Sequence, residues 1–245
     1  RWTPGDSIQL RKNGAYWGTP ARFDEVIFRY FKDPNAMAAS MLSGQLDIIS
    51  NLQAPESLAQ FSDPSRFTVI EGTTNGEVVL GFNNGGASTQ PQAPPNTANT
   101  ALQDVRVRRA ITMAIDRKAL LDTTWFGKGT LIGTMSVPTD PYYEDLSNLY
   151  PYDPAEAKRL LAEAGHPNLT LRLKPAALPY ATKAAQFIAS QLGQVGIQVT
   201  VQEQQFPSTW LDTVYTKADY DMTIVAHVEP RDLGTFANPD YYWRY

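Results

Sequence analysis

A chain of 245 residues that is 42% hydrophobic and 19% charged can bury the core of one large domain or two small ones. Its formal net charge of −4 lacks the basic balance of a nucleic-acid binder. The absence of cysteine excludes disulfides, thiolate zinc sites and cysteine nucleophiles, and no apolar run approaches the ~20 residues of a membrane span. The first residue is Arg1, which suits a processed chain or a portion of a longer one, with any targeting segment outside it.

Ser7–Arg11 (SIQLR) alternates and predicts a short strand. NGAYWGTPAR follows as a turn-rich link, and Phe23–Phe31 (FDEVIFRYF), rich in β-branched and aromatic residues, predicts a second strand. Asp33 and Pro34 open a helix as N-cap and first-turn proline, Met37, Met41 and Leu42 give it an apolar stripe, and Gly44 ends it. Leu46–Ile49 predicts a short buried strand. Thr68–Glu71 and Glu77–Asn83 (EVVLGFN) predict two more. Asn84–Ala101 is rich in Gly, Pro, Asn, Thr and Ser and has no apolar period. It reads as a long loop and marks a break in organisation.

Beyond it the patterns are regular. Asp104 caps a predicted helix with Val107, Ala110, Ile111, Ala114 and Ile115 on one face. Arg106, Arg108, Arg109, Arg117 and Lys118 crowd this stretch. They fall mostly between the apolar positions, and no aromatic interleaving suggests base stacking. We read them as the solvated side of a helix rather than a phosphate grip. Asp153-Pro154 opens another helix, with Ala157, Leu160, Leu161 and Ala164 inward and Gly165 as the stop. Leu169, Leu171 and Leu173 alternate as a strand, Ala181–Val195 is helical, and Ile197, Val199 and Val201 alternate again. This spacing predicts a parallel βαβ unit with a right-handed crossover. Ser208–Lys217 predicts a helix and Met222–Ala226 a strand.

The chemistry-bearing motifs are sparse. Neither GxGxxG nor GxxxxGK[ST] occurs. His166 follows Gly165 at a helix end, where a cation suits the helix dipole. His227 ends a predicted strand and is followed by Glu229 and Asp232. An imidazole with two carboxylates there admits a metal site or a hydrolase triad, but no GxSxG elbow supplies a serine. Phe206, Trp210, Tyr241, Tyr242 and Trp243 flank the last strand. They suit either a binding surface or an ordinary core.

The stretches RKNGAYWG, MLSGQLDII, VVLGFNN, LQDVRVRRAITMAIDRKAL, YPYDPAEAKRLLAEAGHPN and DYDMTIVAH…ANPDY occur in this order along nearly the whole chain. Together they resemble the solute-binding proteins of bacterial ABC importers, of the oligopeptide/dipeptide/nickel type. The resemblance implies an α/β, periplasmic-binding-protein-like lobe with a parallel or mixed sheet flanked by helices, plus part of a first lobe. Residues 1–75 would be a partial first-lobe segment. Residues 76–245 would be the second α/β lobe, incomplete at its C-terminus, with VVLGFNN crossing between lobes.

The resemblance also implies function. The chain would belong to the substrate-binding component of an ABC importer, capturing peptides in the interlobe cleft and delivering them to the membrane permease subunits. In the family a carboxylate just after the strand matching MTIVAH pairs with the peptide amino end. Asp232 is the first candidate here and Glu229 the second. The ligand-packing aromatic falls near Phe206, and His227 takes a place often held by Trp. An Arg-Pro-Tyr carboxylate clamp of dipeptide-type relatives matches Leu178, Pro179 and Tyr180, so the clamp is missing. That favours longer peptides or a non-peptide ligand such as an oligosaccharide or metal chelate. A hydrolase-like enzyme using His227 and Asp232 is the remoter reading. No cofactor, no enzymatic activity, no nucleic acid, a monomer, and a periplasmic or cell-surface lipoprotein location are expected.

Overall fold

The computed structural model describes residues 1–52, 54–85 and 97–228. The chain divides into two compact units, Arg1–Val69 and Ile70–Tyr245.

In the first unit, β1 (Trp2–Thr3), β2 (Ser7–Arg11) and β3 (Glu25–Arg29) form an antiparallel sheet in that order. Helix α1 (Pro34–Leu42) starts as its sequence dictates. The Asp33 carboxylate accepts from the Asn35 N–H at 2.9 Å, and the chain leaves through Gly44 at φ +78°. Two expected strands do not form. Residues 46–49 are irregular, with Ile48 78% exposed, and 68–71 are irregular, with Ile70 87% exposed. β-branched composition supplies only the propensity for a strand. A strand exists when a neighbour takes up its backbone groups, and these segments lie in no described ladder.

The second unit is a four-stranded mixed sheet in the order β4 (Glu77–Phe82), β7 (Met222–His227), β5 (Leu169–Leu173), β6 (Ile197–Val201). β4 runs antiparallel to β7, whereas β7, β5 and β6 are mutually parallel. The βαβ unit forms as expected, with α5 (Pro179–Gln194) joining β5 to β6. Gly196 makes the turn into β6 at φ +95°. A Cβ there would lie 2.4 Å from the Pro167 carbonyl oxygen, so glycine is required.

One face of the sheet carries the main core. Leu171, Leu173, Ile197, Met222 and Ile224 pack with Val107, Ala110 and Ile111 of α2 (Val105–Met113), with Ala157 and Leu161 of α4 (Pro154–Glu163), and with Ala185, Ile188 and Leu192 of α5. The apolar stripes predicted for α2 and α4 are the buried ones. On the β7 side a second cluster joins Ala176, Trp210, Val214, Tyr220 and Val225.

Two helices differ from expectation. After α2 the chain breaks and restarts as α3 (Arg117–Trp125), because Asp116 caps a new helix through the Ala119 N–H at 2.9 Å. The expected helix over 208–217 is a short α6 (Ser208–Leu211) that widens into a π turn over Asp212–Thr216. Trp210 and Val214 both reach the second cluster.

Candidate functional site

Strands β5, β6 and β7 end along one edge of the sheet, where the amino end of β4 also lies. Ligands of open α/β sheets bind outside this carboxyl edge. The segment after β5 stays close to the sheet. The N–H groups of Lys174 and Ala176 donate to Met222 O (2.9 Å) and Ile224 O (3.2 Å), while the Ala177 N–H donates to Gln204 O at 2.8 Å. Gln204 N–H donates back to Pro175 O at 3.0 Å. The connections after β5 and β6 are thereby tied together at the edge.

These ties place several predicted residues. Leu178 is the N-cap residue of α5 and packs on the Trp210 cluster. Tyr180 sits in the first turn of α5. Its hydroxyl accepts from the Ala226 N–H at 2.9 Å, its ring lies 6.1 Å from that of Trp125, and burial pushes its pKa up. Phe206 is 44% exposed at the end of the connection after β6, with its ring centroid 5.9 Å from Trp210. Trp210 is fixed in turn: its Nε1–H donates to Thr223 Oγ1 at 3.0 Å, and that hydroxyl donates to Lys174 O at 2.7 Å. His227, the last residue of β7, is buried. Phe206, Leu178, Tyr180 and His227 thus belong to the same edge. Glu229, Asp232, Tyr241, Tyr242 and Trp243 lie outside the described residues, so the expected amino-end carboxylate is not placed.

Two features escaped the sequence reading. The ladder sets Glu77 directly opposite His227, and both are buried, with Cβ atoms about 5 Å apart by cross-strand geometry. Glu77 looked like one more residue of a strand, and only its register reveals the neighbour. The second feature is an ionic network at the start of β7. Arg172 pairs with Asp219 (2.5 Å) and Asp221 (3.1 Å), and Lys174 pairs with Asp219 (2.8 Å). Alternating signs on well-separated segments gave no local signal for it.

In the arginine-rich stretch Arg106, Arg109 and Lys118 are exposed, as expected of a solvated face, whereas Arg108 and Arg117 are half-buried. Arg106 binds the Asp104 carboxylate at 2.6 Å and Glu163 O at 2.9 Å. Arg108 donates to Leu102 O and Gln103 O, and Arg117 to Ile132 O and Ser147 O. Arg109 lies over the Tyr150 ring, and Lys118 pairs with Asp122. Arg106, Arg108 and Arg117 thereby satisfy carbonyls near the helices, while the Lys118–Asp122 pair lies within α3. His166 is half-buried, and its N–H donates to Leu161 O at 2.8 Å as α4 ends. Among the described residues no group of three His, Cys, Asp or Glu side chains could hold a metal ion.

With this geometry in hand, the comparisons with known proteins are specific. Residues 1–242 match the family described as bacterial extracellular solute-binding proteins, family 5 middle. The chain is 30% identical over 207 residues to the glutathione-binding protein GsiB of Escherichia coli, covering 82% of this chain and 37% of that protein. It is 27% identical over 200 residues to the dipeptide-binding protein of the same organism, covering 79% and 35%. Among solved structures, a periplasmic binding protein of Helicobacter pylori in complex with the peptide STSA superposes with a TM-score of 0.77 at 20% identity, over 94% of this chain and 42% of that one. A dipeptide-binding protein of Pseudoalteromonas in complex with Met-Leu gives 0.78 at 19% identity, over 98% and 44%. The chain spans 34–37% of the length of the curated relatives it matches. The periplasmic-binding-protein fold expected from the sequence is therefore the observed one.

Proposed function

Because the chain belongs to the bacterial extracellular solute-binding proteins of family 5, we propose that it is part of the substrate-binding component of an ABC importer, capturing peptides and handing them to the membrane permease. The observation that carries this reading is the family match over residues 1–242. Relatives named for dipeptide and glutathione binding favour peptides. In this reading residues 1–75 contribute to a first lobe, residues 76–245 form most of a second lobe, and β4 crosses between them. The ligand lies against the carboxyl edge of β5, β6 and β7.

Phe206 and Tyr180 then supply contact surface, and Asp232, with Glu229 second, pairs with the peptide amino end. A buried ammonium needs such a partner, because leaving it unpaired costs several kcal/mol. Leu178 offers no cation to a ligand carboxylate, so the site takes peptides longer than two residues in preference to dipeptides. It binds and releases its ligand unchanged, without a cofactor and without nucleic acid. It acts as a monomer on the outer side of the cytoplasmic membrane, free in the periplasm or lipid-anchored. No helix of the described residues is long and apolar enough to cross a membrane.

A metal chelate is the second reading. It is favoured by buried His227 at the ligand edge and by the same fold in a Brucella suis protein solved with Fe(III)-EDTA.

The test is native mass spectrometry of the full-length natural protein after exposure to a mixed peptide library, with Asp232→Ala alongside. Peptides retained by the natural protein and lost by the variant support both the importer reading and the amino-end pairing. Retention of sugars or a metal chelate instead overturns the peptide assignment. Retention of peptides by both forms removes Asp232 from the site.

A further inference from the structure

We propose that Asn75 is a positioning residue of the ligand site: its carboxamide fixes the direction in which the chain leaves β7 toward Asp232. The proposal rests on the reading that the Asp232 carboxylate pairs with a peptide amino end.

The β4–β7 ladder ends where Glu77 faces His227, and both are buried. Just before Glu77, the Gly76 N–H donates to Thr74 Oγ1 at 3.1 Å. The Asn75 side chain reaches across to the partner strand instead, and its Nδ2–H donates to Val228 O at 2.6 Å. The two segments run close here: a Cβ added at Gly76 would lie 3.5 Å from Val228 Cγ1 and 3.6 Å from His227 O. Val228 itself is 68% exposed, so apolar packing does little to hold it. The carboxamide carries the pairing of β4 and β7 one residue beyond the last ladder pair.

Peptide planarity makes this tie directional. Val228 O and the next backbone nitrogen belong to one peptide plane, so pinning the oxygen sets where the following Cα lies. Glu229 and Asp232 come next in the sequence. A charged group in a binding site is effective only when supporting hydrogen bonds hold its segment in place. Asparagine suits the role chemically. Its amide offers N–H donors to a carbonyl, whereas alanine offers none.

The test titrates tetra-alanine and its N-acetylated form calorimetrically into the full-length natural protein, and the readout is the preference for the free amino end. A general loss of stability weakens both peptides alike and leaves that preference unchanged. Asn75 is only half-buried, so Asn75→Ala is expected to fold. The natural protein should prefer the free form, Asp232→Ala should abolish the preference, and Asn75→Ala should reduce it at least about fivefold. Once Asp232 is gone, adding Asn75→Ala should leave the affinity for free tetra-alanine unchanged. Full preference in Asn75→Ala, with Asp232→Ala deficient, overturns the proposal and leaves the amino-end reading standing. A further loss of affinity in the double variant overturns it as well, because Asn75 then acts by another route. Preference retained by Asp232→Ala, or a natural protein that binds both peptides alike or neither, overturns the amino-end reading and the proposal with it.

Discussion

Asp221 and Arg172 are joined at three points. Asp221 Oδ2 accepts from the Arg172 backbone N–H at 2.7 Å and from Nε at 3.2 Å, and Oδ1 accepts from the guanidinium at 3.1 Å. Oδ1 also accepts from the Asn99 N–H at 2.8 Å. One side chain, 4% exposed, therefore links the start of β7, the middle of β5 and the segment leading to α2. Its removal leaves two backbone donors without their acceptor, while the half-buried Arg172 guanidinium keeps Asp219 as its partner. We predict that Asp221→Ala costs about 1–3 kcal/mol, the range for leaving buried polar groups unsatisfied. Urea unfolding of the natural protein checks this, and a loss below about 1 kcal/mol would sink it.

Asp219 makes the same region sensitive to acid. Hydrogen bonds from Lys174, then from Thr97 and Arg172, hold its carboxyl well below the usual carboxylate range. The folded value lies below the unfolded one of about 3.9, so its contribution is complete above about pH 5 and is lost as pH falls through the unfolded and then the folded value. The urea midpoint should fall between about pH 5 and about pH 2, and the fall should be shallower in Asp219→Asn. An identical slope in the variant would refute this. Asp104 behaves alike: its hydrogen bonds with Arg106 hold its pKa at about 2. Carboxyl carbon NMR should find it still ionised near pH 3, below the ordinary aspartate value of about 3.9.

The relay from Trp210 Nε1 through Thr223 Oγ1 to Lys174 O is buried throughout. Thr223→Val keeps the shape and removes both bonds. The indole N–H and the carbonyl are left unsatisfied, at a cost of about 1–3 kcal/mol. Thr223→Ser should recover most of that loss in thermal unfolding. No difference between Val and Ser would show that packing alone matters there.

Tyr180→Phe removes the acceptor of the Ala226 N–H at the candidate ligand edge. The expected loss of stability is about 1 kcal/mol, because Ala226 is only half-buried and water can replace the hydroxyl. If the edge holds the ligand, peptide affinity should fall by more than stability does. Calorimetric titration with a retained peptide checks this. Unchanged affinity would remove Tyr180 from the site.

Much of this protein was legible without coordinates, because local signals carry local structure. Asp33, Asp104 and Asp153 each cap the helix that follows them, and the stripe of Val107, Ala110 and Ile111 is the buried one. The leucines of β5 and the branched residues of β6 alternate as a parallel pair flanking a helix. Period, capping chemistry and glycine stops involve neighbours a few residues apart, so one sequence is enough to read them.

What tertiary structure alone decided are the relations between distant segments. Leu46–Ile49 and Thr68–Glu71 have the composition of strands but no described ladder neighbour. Only the register of β4 on β7 sets Glu77 opposite His227. Only the fold turns Arg117 and Arg106 toward carbonyls at Ile132 and Glu163. In each case the deciding partner lies elsewhere in the chain. Burial and hydrogen bonding depend on where that partner is brought, which no local pattern encodes.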